Sequence, residues 1–175
     1  NEYKYCNTTN NVKTYFPETS DSLGILVGYE DLQLSFWVNP KIEILNSNYE
    51  SIRSVKANSA KGVCDGNVIR YEDFASIIDE FIIKDNGIKN NIILNDNNWI
   101  ANTNSENDYA SFQQFIPLNN DYKVYKDDNI VISNFVAESF VIKRLKDSVG
   151  FIFSPIIIYD NGINKERVYR LITIP

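Results

Sequence analysis

The feature that most constrains this chain is a run of apolar residues at helical spacing between positions 71 and 84. The spacing is i, i+3, i+4, i+7 and i+8, which places the run on one stripe of a 3.6-residue helix. Acidic residues begin the segment, Lys84 ends it and Asn86-Gly87 follows, as the backbone dipole and helix closure favour. The pattern predicts one amphipathic helix over 71–84 with a buried stripe. That stripe consists of Phe74, Ile77, Ile78, Phe81 and Ile82.

The segments around this helix alternate apolar and polar residues with the period of two that is typical of strands. Residues 23–29 and 32–38 alternate on either side of Glu30-Asp31, which predicts a hairpin. From residue 112 onward, short apolar runs separated by turn residues predict an antiparallel meander, although 135–145 would also suit a helix. We therefore expect a mainly β fold of the β-rich α+β class. Its architecture would be an antiparallel sandwich or curved sheet, with the helix packed on it or capping it.

The two cysteines, Cys6 and Cys64, bear on both domain organisation and compartment. No linker interrupts the sequence, so we expect a single domain over 1–175 with a polar N-terminal arm over 1–20. In an exported protein the cysteines would pair and pin this arm, and closing a loop of about 60 residues would contribute roughly 4 kcal/mol. In a cytosolic protein they would be unrelated thiols. Because the chain also lacks Met, which favours a processed or excised chain, we expect the disulfide and a secreted, cell-surface or periplasmic location.

Charge and hydropathy argue against a nucleic-acid partner and against a membrane-spanning segment. The formal net charge is −6 and the pI is about 4.7, whereas nucleic-acid binding relies on clustered Lys and Arg. No apolar run approaches the length of about 20 residues that spans a bilayer. We therefore expect neither a nucleic-acid partner nor a membrane span in this chain. Asn and Ile are both over-used, which is typical of a low-GC organism and lowers the weight of any single Asn.

The sequence also lacks recognisable catalytic patterns. It has no His, so Ser-His-Asp and Cys-His catalysis and His-based metal sites are excluded. The carboxylate pairs Glu72-Asp73, Asp79-Glu80 and Asp127-Asp128 are adjacent in sequence, and adjacent side chains point in different directions. The Asn/Asp-rich segment 95–108 lacks the spacing of a calcium-binding loop. We therefore expect no catalytic residues, no metal and no cofactor, and predict that the protein is not an enzyme.

The remaining functional signal is one of recognition. The segment 95–108 is rich in Asn and is flanked by aromatic residues, and Asn, Ser and Tyr are common in contact loops. The alternative is that these aromatic rings simply end strands and are buried, as many are. The residues that we predict to contact a partner are Trp99, Asn102, Asn104, Tyr109 and Phe112.

Three functions follow from these observations. The first is an exported, non-catalytic domain that recognises a protein or glycan partner, as an adhesin, a host-interaction protein or a virulence-associated secreted protein does. The second is a structural assembly subunit of a pilin-like surface appendage, in which an edge strand such as 166–174 completes the sheet of a like subunit. The third, the least favoured, is a hydrolase built on carboxylates. We take the first as the working prediction.

Overall fold

The computed structural model describes residues 2–56, 58–74, 77–95, 109–160, 164–168, 170–172 and 174. They form two compact units, residues 1–117 (unit 1) and residues 118–175 (unit 2). The strands pair antiparallel, and the described residues contain no helix, so the prediction of a mainly β fold is confirmed. The described part of the chain contains no helix that is long and apolar enough to cross a membrane. The single-domain prediction stays a prediction.

Unit 1 consists of two antiparallel sheets. Its strands are β1 (Tyr5–Asn7), β2 (Lys13–Phe16), β3 (Ile25–Tyr29), β4 (Leu32–Leu45), β5 (Ser51–Lys56), β6 (Val63–Asp65), β7 (Val68–Phe74), β8 (Ile77–Lys84), β9 (Gly87–Leu94) and β10 (Tyr109–Phe115). The first sheet has the order β1-β2-β3-β4-β10, and β5 pairs with the second half of β4. The second sheet has the order β6-β7-β8-β9. Residues 1–20, which we expected to form an arm, thus contribute two strands.

The two sheets of unit 1 pack against each other through aromatic and aliphatic side chains. The ring of Phe16 in β2 lies 5.5 Å from the ring of Phe81 in β8, measured between centroids. The hydroxyl of Tyr71 donates to the carbonyl oxygen of Pro17 at 2.7 Å. Further along the sheets, Ile42 and Ile77 form a second buried cluster. These contacts between facing sheets are those of a β-sandwich.

The predicted helix over 71–84 is wrong, because its described residues, 71–74 and 77–84, belong to β7 and β8. In β8 the side chains of Ile77, Asp79, Phe81 and Ile83 are buried on one face. The Ile77-Ile78 and Ile82-Ile83 doublets satisfy a period of two as well as a period of 3.6, and four β-branched residues in eight favour the strand. The Asn86-Gly87 signal belongs to the β8–β9 hairpin, where Lys84 pairs with Gly87.

Strand β4 is longer than the sequence predicts. The predicted hairpin is confirmed, since β3 pairs with β4 across Glu30-Asp31. However, β4 continues past Pro40, although a proline lacks the N–H that a ladder needs. The reason is that Pro40 lies where the register between β4 and β10 shifts, between the pairs of Phe112 and Gln114. A proline is tolerated at such an irregularity.

A charged cluster lies across the other face of the second sheet. Glu80 is only 7% exposed, and it is paired with Arg70 on β7 and Asn91 on β9. Arg70 donates to its carboxylate through Nε at 2.8 Å and through Nη2 at 2.7 Å, and Asn91 Nδ2 donates at 2.8 Å. The hydrogen bond from Asn91, together with those from Arg70, lowers the pKa of Glu80 below its usual value.

Unit 2 is also antiparallel. Its strands are β11 (Tyr122–Lys126), β12 (Asn129–Val131), β13 (Phe135–Ala137), β14 (Phe140–Arg144), β15 (Phe151–Phe153), β16 (Ile156–Asp160), β17 (Asn164–Val168) and β18 (Arg170–Ile172). One sheet has the order β12-β11-β14-β15, and two-stranded ribbons are formed by β13 with β18 and by β16 with β17. The segment 135–145, which would also suit a helix, thus contains strands β13 and β14. Within the segment 166–174, the described strand residues pair with their own chain.

Arg170 links the elements of unit 2. One guanidinium nitrogen donates to the carbonyl oxygens of Glu138 at 2.9 Å and Ser154 at 2.6 Å, and the group lies 6.0 Å from the ring of Phe140. Burial lowers the pKa of this guanidinium. The ring of Phe140 in turn stacks on that of Phe153 at 4.5 Å. The C-terminal strand is thus held by more than its short ladder.

The strand assignment of β8 predicts unequal effects of two neighbouring substitutions. Phe81→Ala should lower the free energy of unfolding by about 3–5 kcal/mol, because a fully buried ring is lost. Ile82→Ala should cost only about 1 kcal/mol, because Ile82 lies half-buried on the opposite face. Urea unfolding measures both values. Equal losses would contradict the strand, since the helical stripe contained both residues.

The charged cluster predicts a loss of stability in acid. Because the folded-state pKa of Glu80 is lowered, the unfolded chain takes up the proton first, so the contribution of Glu80 disappears as the pH falls below about 4.5. Glu80→Gln should cost about 1–3 kcal/mol at pH 7 and flatten this acid dependence. Urea unfolding at several pH values measures both effects. Glu72→Gln, at an exposed position on β7, is the matched control and should change neither.

Candidate recognition site

The turn between β4 and β5 is unusually well fixed. The side-chain oxygen of Asn46 accepts hydrogen bonds from the backbone N–H groups of Asn48 at 2.9 Å and Glu50 at 3.0 Å. The backbone N–H of Asn46 donates to the carbonyl oxygen of Glu50, and that of Tyr49 donates to the carbonyl oxygen of Asn46, both at 2.9 Å. A single Asn side chain thus organises the turn from within, as in an Asx-turn.

This turn holds Tyr49 in a conformation that few side chains adopt. Its φ is +63°, in the left-handed region, which costs an L-residue roughly 1–2 kcal/mol. The ring is 71% exposed, so burial does not offset this cost. A strained, exposed aromatic residue on a rigid turn is an arrangement that recurs at functional sites.

The ring of Tyr49 stacks on the ring of Tyr109, the first residue of β10. Their centroids are 5.3 Å apart and their planes differ by 17°. Tyr109 pairs with Leu45 at the end of β4, directly before the Asn46 turn, and is 47% exposed. Stacking of this kind contributes about 0.5–1.5 kcal/mol and fixes both rings. We call Tyr49 and Tyr109 the tyrosine pair.

The neighbouring part of the sheet is electrostatically compensated on β4. Glu43 accepts a hydrogen bond from Lys41 Nζ at 2.9 Å and another from Gln113 Nε2 at 2.6 Å. The bond from Lys41 is the main cause of a lowered pKa at Glu43. Lys41 and Glu43 therefore neutralise each other.

The structure separates the residues predicted to contact a partner. Tyr109 is exposed and belongs to the tyrosine pair. Phe112 is half-buried and packs against the cluster of Ile42 and Ile77, so we assign it to the core of unit 1. The other three lie outside the described residues, and their roles stay predictions: Trp99, Asn102 and Asn104.

The sequence has turn-forming residues directly before Tyr49, but the high Asn content of the chain makes them inconspicuous. Asn46, Ser47 and Asn48 precede it, and Asn and Ser are residues that form turns with their own backbone. Because Asn is over-used throughout the chain, this run stood out less than the longer segment 95–108. The stacking partner of Tyr49 is 60 positions away, and only the pairing of β10 with β4 brings the two rings together.

The Cys6–Cys64 disulfide that we expected is absent from the structure, where both cysteines are exposed free thiols. Cys6 lies in β1 and Cys64 in β6, which are edge strands of different sheets. The hydroxyl of Tyr5 donates to the carbonyl oxygen of Gly62, so Tyr5 faces the Cys64 segment. Successive side chains of a strand point to opposite faces, and Cys6 therefore points away from it.

Unit 2 has a groove of about 200 Å³. The ammonium group of Lys143 lies 4.5 Å from the centroid of the Tyr125 ring, so a cation of the protein itself covers that ring. The groove is lined by Tyr125, Asp127, Asp128, Ser139, Phe140, Val141, Lys143 and Ile152.

In the described part of the chain, no three Cys, Asp or Glu side chains are grouped to hold a metal ion.

Comparisons with known proteins give no family for this chain. No protein-family model matches it, and searches of curated proteins and of solved structures find no match. The tyrosine pair is therefore interpreted from its geometry and chemistry alone.

The free thiols predict a simple titration result. Both Cys6 and Cys64 should react with an aromatic disulfide reagent in the folded protein, because both are exposed. Two equivalents of released thiolate, measured without denaturant or reductant, are the expected value. A folded protein that releases no thiolate, but shows two reactive thiols after reduction, would instead contain the disulfide. The disulfide would then again be an argument for export.

Proposed function

We propose that this chain is a non-catalytic recognition domain that binds a protein or glycan partner through the tyrosine pair. The observation that carries the proposal is the stacking of two exposed rings, one of them on a strained turn fixed by Asn46. Folding already orders these rings, so binding a partner costs little further conformational entropy. Tyrosine is also enriched among the residues that dominate interface energetics.

The proposal includes a location outside the cytoplasm, as a secreted, cell-surface or periplasmic protein. An adhesin or a host-interaction protein would present the tyrosine pair there to external proteins or glycans. Labelling of intact cells with an antibody against the domain, compared with permeabilised cells, tests this part. Antibody labelling that appears only after the membrane around the cytoplasm has been permeabilised would refute this part of the proposal.

The binding proposal predicts that ligands selected by the domain depend on both rings. Ligands are obtained from a phage-displayed random peptide library and from a glycan array. Tyr49→Ala and Tyr109→Ala should each weaken the selected ligands by about tenfold or more, which corresponds to roughly 1.4 kcal/mol. Titration calorimetry measures the affinity, and thermal unfolding checks that each variant remains folded.

Phe115→Ala is the matched control for these variants. Phe115 lies at the other end of β10 and is 59% exposed, so it resembles Tyr109 in exposure and strand but lies away from the turn. This variant should bind the selected ligands with unchanged affinity. The proposal fails when the two tyrosine variants bind as the wild type does, or when neither library yields a ligand.

A further inference from the structure

Strand β5, which follows the Asn46 turn directly, is open on both faces and along one edge. All of its residues, from Ser51 to Lys56, are exposed, including Ile52 at 46% and Val55 at 39%. A strand in a sandwich normally buries alternate residues, so β5 extends beyond the packed sheets. Among the described residues it pairs only with β4.

The free edge of β5 is a template for another strand. In an antiparallel ladder, alternate residues direct their N–H and C=O groups towards the partner and the others direct them outward. Over six residues, the backbone groups of about three therefore point away from β4. Such groups bind an extended segment through main-chain hydrogen bonds in β-augmentation.

The charge of β5 selects the kind of segment. Arg53 and Lys56 are its charged residues, and they lie on opposite faces because their spacing is odd. Neither has an ion pair with a described residue, and Lys56 stands opposite Lys41, whose ammonium is bound by Glu43. This strand is thus basic in a chain whose net charge is −6. Acidic side chains on an added strand would be attracted on both faces.

A second copy of this chain fits the edge less well. Antiparallel pairing of β5 with a second β5 brings two Arg53 and two Lys56 side chains into one short ladder, and like charges on neighbouring strands repel each other. Charged residues on edge strands discourage such self-pairing. The same charges favour a partner of the opposite sign.

We propose that β5 accepts, along its free edge, an extended segment of a partner protein that combines β-branched residues with acidic residues on both of its faces. This inference rests on the proposed recognition function and makes the partner a protein. The Asn46 turn connects β5 directly to Tyr49, so an added strand that continues past Ser51 approaches Tyr49, whereas Tyr109 lies on β10, on the other side of β4. Main-chain hydrogen bonds and the charges of β5 then bind the segment, and the tyrosine pair is reached through Tyr49.

The experiment uses synthetic peptides of valine and glutamate with the repeat Val-Glu-Glu-Val as the probe, because this repeat places glutamates on both faces of a strand. The wild-type chain should bind such a peptide with a Kd below about 1 mM in titration calorimetry. A valine–lysine peptide should bind at least about tenfold more weakly, because it repels Arg53 and Lys56. N-methylation of alternate backbone amides, which removes the donors of one edge, should abolish binding when the methylated edge faces β5. Both alternate sets are therefore synthesised.

Charge reversal on the protein completes the test. The double variant R53E/K56E should bind the valine–glutamate peptide about tenfold or more weakly than the wild type does, and it should bind the valine–lysine peptide more tightly. The matched control is Lys84→Glu, at an exposed position at the end of β8 in the other sheet, and it should bind as the wild type does. Circular dichroism and thermal unfolding check the fold of each variant.

Several outcomes would overturn the inference. They are the absence of peptide binding, equal binding of the acidic and basic peptides, and equal binding of the methylated peptides. A dimer in sedimentation that becomes tighter when Arg53 is replaced by a neutral residue would show that a second copy occupies the edge. Ligands that need the tyrosine pair but tolerate R53E/K56E would refute this inference and retain the proposed function. Peptide binding that needs β5 but not the tyrosines would refute the tyrosine pair instead.

Discussion

The packing of Phe16 against Phe81 is the contact on which the rest of unit 1 depends. Each sheet has an apolar face that is unstable in water alone, and these rings lie where the two faces meet. Both rings are almost completely buried, at 0% and 1% exposed. The same face of β8 also carries Asp79, whose burial the surrounding apolar contacts must offset. The position of β8 in turn fixes the face on which Glu80 meets Arg70 and Asn91.

The sequence predicted the strands best where only one period fits. Residues 23–29 and 32–38 carry an apolar residue at every second position, and the hairpin that they form turns at Glu30-Asp31, as expected. Residues 71–84 contain isoleucine doublets that fit both periods, and the acidic Asp79 interrupts the apolar face that a strand would show. Local spacing therefore favoured a helix, and pairing with β7 and β9 decided for a strand.

The candidate site was predictable only in part. Tyr109 was identified by its position after an Asn-rich segment, but Phe112, chosen by the same argument, packs into the core. Tyr109 and Phe112 are separated by an odd number of positions, so their side chains lie on opposite faces of the strand. Composition does not indicate which of the two faces is buried. Tyr49 was missed because its stacking depends on a strand pairing between distant parts of the chain. The prediction of the site was limited by the large sequence separation between Tyr49 and Tyr109 rather than by residue type.

The length of β4 separates two tasks within one strand. Its first half pairs with β3, and its second half lies between β5 and β10 and ends at Leu45, which pairs with Tyr109. The register shift opposite Pro40 divides these halves, so a change of pairing in one need not propagate to the other. The second half nevertheless contributes Ile42 and Ile44 to the core, so one strand joins two parts of the sheet that differ in register without losing burial in either.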